Sequence, residues 1–209
     1  MQGRLFIWVG LALLLLALCL TAGVSLGSAA IPAETVWSIL VNKLAPGTFE
    51  PTWSPGRESI VWDVRFPRVI LAGLVGAGLA TVGAVLQSVT RNPLADPHLL
   101  GVSSGGALGA IIALLHTGLI FGLVTVPLFA FAGSLLATLA VVAVTRFTGA
   151  GADRLVLSGV AIAFVATSLG NLAIFLGDPR AAHTVVFWML GGLGLAQWSH
   201  LFYPAIVLV

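Results

Sequence analysis

Charge is scarce in this 209-residue chain, at 8% of residues, and what there is avoids the apolar runs. All seven Asp and Glu residues fall between those runs, as do the arginines, so no intramembrane proton or sodium relay is visible. The only lysine is Lys43 and there is no GxxxxGK[ST], which excludes a phosphate cradle of the Walker A kind in this chain. One cysteine, Cys19, lies in the middle of the first apolar run, and a single thiol forms no internal disulfide. His98, His116, His183 and His200 have no HExxH or other close ligand spacing, so no metal centre is expected. A net charge of only +2, on scattered bases, excludes nucleic acid as a partner.

What remains is apolar. At 59% hydrophobic residues and a mean hydropathy of +1.11, the composition is that of an integral membrane protein, because no soluble core absorbs so much apolar surface. A first run covers Leu5–Leu26. A cleaved signal peptide, with small residues at 27–30 for processing, is the alternative, but the run is longer than a signal core and is read as a retained span. Residues 27–67 are polar, with Pro32, Pro46, Pro51 and Pro55, and are expected as an extracytoplasmic loop. Within them IPAETVWSIL reads as a short amphipathic helix, with Ile31, Val36, Trp37 and Leu40 able to lie on a membrane surface.

Val69–Val89 passes without a charge, about 21 residues, enough at 1.5 Å per residue to cross a hydrocarbon core of roughly 30 Å. Leu99–Leu115 is the third span, Leu119–Thr145 the fourth, with Pro127 in its first turns or at a kink, and Leu155–Leu176 the fifth. The mixed stretch 177–197 follows, and Leu201–Val209 is about half of a crossing. The expected architecture is therefore an all-α polytopic membrane bundle, one transmembrane domain over 1–209 with about five spans and the start of a sixth.

Two features organise the centre. Gly73, Gly76, Gly78 and Gly83 in the second span, and Gly101, Gly105 and Gly109 in the third, have the spacing that lets helix backbones approach closely. These two spans are expected to pack together. Between them, Arg91-Asn92-Pro93-Leu94-Ala95-Asp96-Pro97-His98 has two prolines four apart, which neither helix can continue through.

These residues carry a resemblance. RFPR at 65–68, GAVLQ ending at Gln87, RNPLADP with Asn92, Pro93 and Pro97, LGVSSG with Gly101, Ser103 and Gly105, then RLVLSGVAIA and FWMLGGLG, closely resemble the FecCD-type permeases of ATP-binding-cassette (ABC) importers. The resemblance implies a type II importer permease of about ten spans, of which this chain supplies the N-terminal part, ending within the sixth. It implies a homodimer with two ATPase subunits that bind ATP and Mg, a periplasmic substrate-binding protein, and an iron chelate (siderophore or haem) or cobalamin as cargo. No cofactor is expected in the chain itself, and no catalytic residue. Gly106 stands where the family more often has Ala.

Arg91, Arg146 and Arg154 sit in short loops, which tilts the positive-inside rule toward a cytoplasmic N-terminus in the bacterial inner membrane, as the resemblance also implies. Arg65 and Arg68 then lie at the outer mouth. The resemblance implies that they meet acidic residues of the binding protein, while pairing with Asp63 or Glu58, or reaching for lipid headgroups, is the plainer alternative. Ser168 and Asn171 are the expected path-facing residues of the fifth span; bonding to backbone or a neighbouring helix is the commoner use of such side chains. Two other classes stay in view. One is an ion-coupled carrier, and the other an intramembrane serine hydrolase, since Gly101–Gly105 matches GxSxG although it opens a membrane helix where that motif needs a strand-to-helix elbow.

Overall fold

The computed structural model describes residues 2–93, 95–149, 151–194 and 196–208, and every regular element among them is helical. Four helical stretches are long and apolar enough to cross a bilayer: Arg4–Ser25, Pro55–Thr90, Gly122–Phe147 and Ala152–Leu176. The chain forms two compact units, Met1–Gly78 with Leu193–Val209, and Leu79–Gly192.

The first unit begins with α1 (Gln2–Ser25), which matches the first apolar run. After it comes α2 (Ala33–Leu44), with Glu34 in its first turn and Lys43 in its last, each at the helix end whose dipole favours its charge. The sequence suggests an apolar face for lipid; the structure buries it. Val36 and Ile39 are 0% and 1% exposed and join Val24, Ile31, Val61 and Phe66 in one core, while Trp37 packs edge-on against Phe66 at 6.5 Å. Protein covers this face because the next helix starts earlier than its hydropathy suggests. Ser54 caps α3 (Pro55–Ser59), its Oγ accepting from Arg57 N–H at 3.4 Å, with Pro55 preset for the first turn.

That helix does not stop at Pro67. It continues through a π-helical segment, Ile60–Arg65, into α4 (Phe66–Thr90). Proline has no N–H and crowds the carbonyl one turn back, and an inserted π turn is a common way to absorb this without ending a helix. Here Phe66 N–H donates to the Val61 carbonyl. So Val61, Trp62 and Arg65, expected in a loop, stand on helical backbone. Gly23 and Gly73 mark close contact of α1 with α4: a Cβ on Gly23 would meet Val69 at 3.1 Å, and one on Gly73 would meet Leu20 at 3.6 Å. Trp62 stacks on Trp198 at 4.7 Å, and the Trp198 indole N–H donates to the Trp62 carbonyl at 3.0 Å. Trp198 belongs to a 3₁₀ turn, Trp198–Leu201, that leads into α9 (Phe202–Leu208).

In the second unit, the proline-broken turn is as the sequence suggests. The end of α4 closes with two bonds, Arg91 N–H to the Ser88 carbonyl at 3.4 Å and Asn92 N–H to the Gln87 carbonyl at 3.2 Å. This is the Schellman pattern with Arg91, at φ 50°, in the left-handed position that glycine usually fills. Asp96 caps a 3₁₀ turn, Pro97–Leu100, its Oδ1 accepting from His98 N–H at 2.7 Å. Gly101, at φ 68°, then breaks the direction, so the third run starts at Val102. It is an 11-residue α-helix, α5 (Val102–Ile112), extended by a 5-residue π segment, Ala113–Thr117, and is shorter than the other four.

α6 (Thr125–Phe147) has Pro127 in its first turn, the place where a missing N–H costs nothing. α7 (Ala152–Leu176) follows, and then α8 (Pro179–Met189), a short amphipathic helix capped by Asp178 through Arg180 N–H at 2.8 Å. The sequence leaves that region unassigned, although its Asp-Pro start is a capping signal.

α5 is the hub of this unit, with Gly105, Gly106, Gly109, Ala110 and Ile111 buried against α6 and α7. Its glycines therefore meet the following span, not the preceding one. A Cβ on Gly105 would lie 2.6 Å from the Ala137 Cβ, and one on Gly109 would lie 2.6 Å from the Phe129 carbonyl carbon. The reason is reciprocal: Gly133 of α6 presents bare backbone to Gly105, and Gly159 of α7 does the same to Leu99. Gly76 and Gly83, by contrast, have no neighbour within 4 Å of a Cβ position.

Candidate functional site

Two regions carry the polar chemistry, one in each unit. In the first, Glu58 forms a 2.7 Å ion pair with Lys43 and accepts from the Trp53 indole at 3.1 Å. Asp63 accepts from the Ser59 hydroxyl at 2.8 Å. Both nearby acids therefore have other partners, and neither arginine takes one.

Arg65 and Arg68 part company. Arg68 is exposed and its guanidinium donates to the Gly194 carbonyl at 3.0 Å. Arg65 is only 7% exposed, and donates from Nη1 to the carbonyls of Val24 and Ser25 at 3.1 Å each and from Nη2 to that of Ala29. In this structure the Arg65 guanidinium is covered and bonded to backbone, with no free fork facing outward. Arg68 keeps the exposure that docking needs.

The second region surrounds the turn before α5. Gln87 and Pro93 are exposed, Asn92 and Pro97 half-buried, and Leu94 lies outside the described residues. His98 Nδ1 stands 3.1 Å from the Ser103 hydroxyl, a contact between the two ends of the Gly101 break that sequence spacing does not announce. As a nucleophile and base this pair is incomplete: the Asp96 carboxylate is engaged by the His98 backbone N–H, and Ser103 sits in the opening turn of a helix instead of on a strand-to-helix elbow. A shallow groove of about 260 Å³ lies beside it, lined by His98, Leu99, Val160, Phe164 and Thr167 among others.

Along α7, Phe164, Thr167, Ser168 and Asn171 are all exposed, while Ser158, Gly159, Ala166 and Gly170 face the bundle. The two expected path residues are thus available to something outside this chain. At the start of α7, Arg154 donates to the carbonyls of Thr148 and Gly149, closing the exit of α6 with a cation. Among the described residues no cluster of three or more His, Cys, Asp or Glu side chains is placed to hold a metal ion.

Glycine-packed apolar helices, with no strand among the described residues and with charged groups kept out of the long apolar stretches, define a polytopic helical membrane protein of the permease kind. The chain belongs to the FecCD transport family, whose model matches residues 13–209. A Helicobacter pylori protein named as an iron chelatin transport system permease is 42% identical over 140 residues, 67% of this chain and 41% of the relative. The vitamin B12 import system permease protein BtuC of Salmonella paratyphi A is 40% identical over 158 residues, 75% of this chain and 47% of that one. A solved structure described as a metal-chelate type ABC transporter in an inward-facing conformation superposes with a TM-score of 0.70 at 28% identity, over 97% of this chain and 58% of that chain. The chain spans about half the length of the curated relatives it matches.

Proposed function

We propose that this chain forms part of the membrane permease of a binding-protein-dependent ABC importer, moving an iron chelate (siderophore or haem) or cobalamin across the bacterial inner membrane by ATP-driven alternating access. The observation that carries this reading is the superposition, over 97% of the chain, on a metal-chelate type ABC transporter. The names of the iron chelatin and vitamin B12 relatives support the cargo class. Four spanning-length helices that hold no carboxylate in their apolar stretches support a drive that is not an ion relay.

In this account ATP and Mg are bound by separate ATPase subunits, the permease is a homodimer, the N-terminus is cytoplasmic, and residues 27–67 face outward. Arg68 is the docking cation for an acidic surface of the periplasmic binding protein, because it is the exposed member of its pair and guanidinium matches carboxylate as a fork. Ser168 and Asn171, exposed on α7, line the path. A path with only scattered hydroxyls and amides suits a large cargo, since tight binding midway would arrest it.

The test is uptake. The full-length permease, assembled in proteoliposomes with its partner ATPase and binding protein, is expected to accumulate a ferric siderophore, haem or cobalamin only with ATP inside. Accumulation that follows a proton or sodium gradient without ATP refutes the reading.

A further inference from the structure

The seam between α5 and α6 is built of backbone, and one polar side chain crosses it. A Cβ on Gly133 would lie 3.0 Å from the carbonyl carbon of Gly105 and 3.2 Å from the Cα of Gly109, so the two helices touch there with no side chain between them. Ser134 stands next to that contact. Its hydroxyl donates to the Val102 carbonyl at 2.9 Å, and among the described residues this is the one side-chain hydrogen bond that joins α5 to α6.

Val102 opens α5, and in an α-helix its carbonyl accepts from the N–H four residues on, that of Gly106. A second lone pair is left for Ser134. Gly106 also makes the room: a Cβ there would lie 2.7 Å from the Ser134 Oγ, so a methyl group at 106 turns the hydroxyl away from its acceptor. Space and bond belong together.

Bare backbone lets helices come close but does little to fix their offset along the axis. A hydroxyl bound to one carbonyl does fix it, because the next carbonyl on the same face is a full turn away, about 5.4 Å. The place of this bond matters. Immediately before it lie the Gly101 break and the Pro97–Leu100 turn, and Ser103, in the same opening turn of α5, meets His98 at 3.1 Å.

We infer that Ser134 is a positioning residue for transport: it pins α5 to α6 in one register, so that the Pro97–Leu100 turn and both helices shift as one body when the permease changes conformation. This rests on the ATP-driven importer reading.

The test uses the full-length permease, first in mixed micelles and then in proteoliposomes with its partner ATPase and binding protein. Made on Ser134→Ala, Gly106→Ala is expected to shift the SDS unfolding equilibrium about fivefold toward the folded state; made on the parent, where it costs the hydrogen bond, it is expected to shift it less than about twofold. Equal shifts in the two backgrounds overturn the pin. The double variant is then as stable as the parent but unpinned, which separates packing from register. Cyanocobalamin, haemin and ferric hydroxamate and catecholate siderophores are each offered, and the one that the parent accumulates is the probe. The double variant is expected to hydrolyse ATP at the parent rate while accumulating severalfold less cargo per ATP. An unchanged ratio overturns the inference, whether both rates persist or both fall together, by showing that the bond holds structure alone. Parent uptake that ignores ATP refutes the importer reading and leaves the stability result standing.

Discussion

The crossing of α5 and α6 gives the sharpest energetic prediction. Alanine is normally the better helix residue by about 1 kcal/mol, so Gly→Ala within a helix should stabilise unless space is lacking. At Gly109 space is lacking: the new Cβ would lie 2.6 Å from the Phe129 carbonyl carbon and closer still to its oxygen. The obstacle is backbone, which cannot turn aside as a side chain can, so relief requires the helices to part by about an ångström along a tightly packed seam. Overpacking of this kind costs ~1–3 kcal/mol, and a backbone clash belongs at the upper end. Subtracting the helix-propensity gain leaves a net loss of about 2 kcal/mol for Gly109→Ala. Gly10→Ala is the control, since nothing lies within 4 Å of a Cβ there and only the gain remains. Reversible unfolding in mixed micelles with increasing SDS measures both. Equal stability of Gly109→Ala and the parent, or an equal loss in the two variants, refutes the claim that bare backbone contact holds this unit together.

Four further outcomes follow from the geometry. Arg68→Glu should abolish stimulation of ATP hydrolysis by the binding protein while the permease remains folded by gel filtration, and undiminished stimulation counts against its docking role. Lys43→Met removes an ion pair whose side chains are 37% and 34% exposed, and should change stability by less than about 1 kcal/mol in the same micelle titration. Ser103→Ala removes only a 3.1 Å contact to His98, so transport should persist within a fewfold; complete loss would revive the hydrolase reading. Arg91→Gly places glycine at φ 50° and should stabilise the α4 exit by about 1 kcal/mol, checked as retarded amide exchange at residues 88–93.

Much of this was open to reading from composition and pattern, and the exceptions have physical causes. Apolar length located α1, α4, α6 and α7, because lipid solubility is a property of sequence alone. Paired prolines located the turn after Arg91 for the same local reason. Partners were less legible. The glycines of α5 announce a close neighbour but not which one, since the reciprocal Gly133 is the single glycine of α6 and forms no repeat of its own. Pro67 looked like a boundary, and only a π turn, which no composition signals, lets the helix pass it.

The amphipathic α2 was recognised as amphipathic, yet periodicity does not distinguish a lipid-facing stripe from one buried against Val61 and Phe66. Arg65 and Arg68 are alike by type and spacing. Their separation into an inner and an outer cation depends on the distant carbonyls of Val24, Ser25 and Ala29, which carry no side-chain signature.

The most direct measurement is cargo accumulation by proteoliposomes holding the full-length permease, its ATPase and its binding protein, with the ion gradients collapsed. Uptake of a metal chelate or cobalamin that starts with internal ATP and stops without it is the expected result. Uptake that needs an ion gradient and ignores ATP would contradict the account.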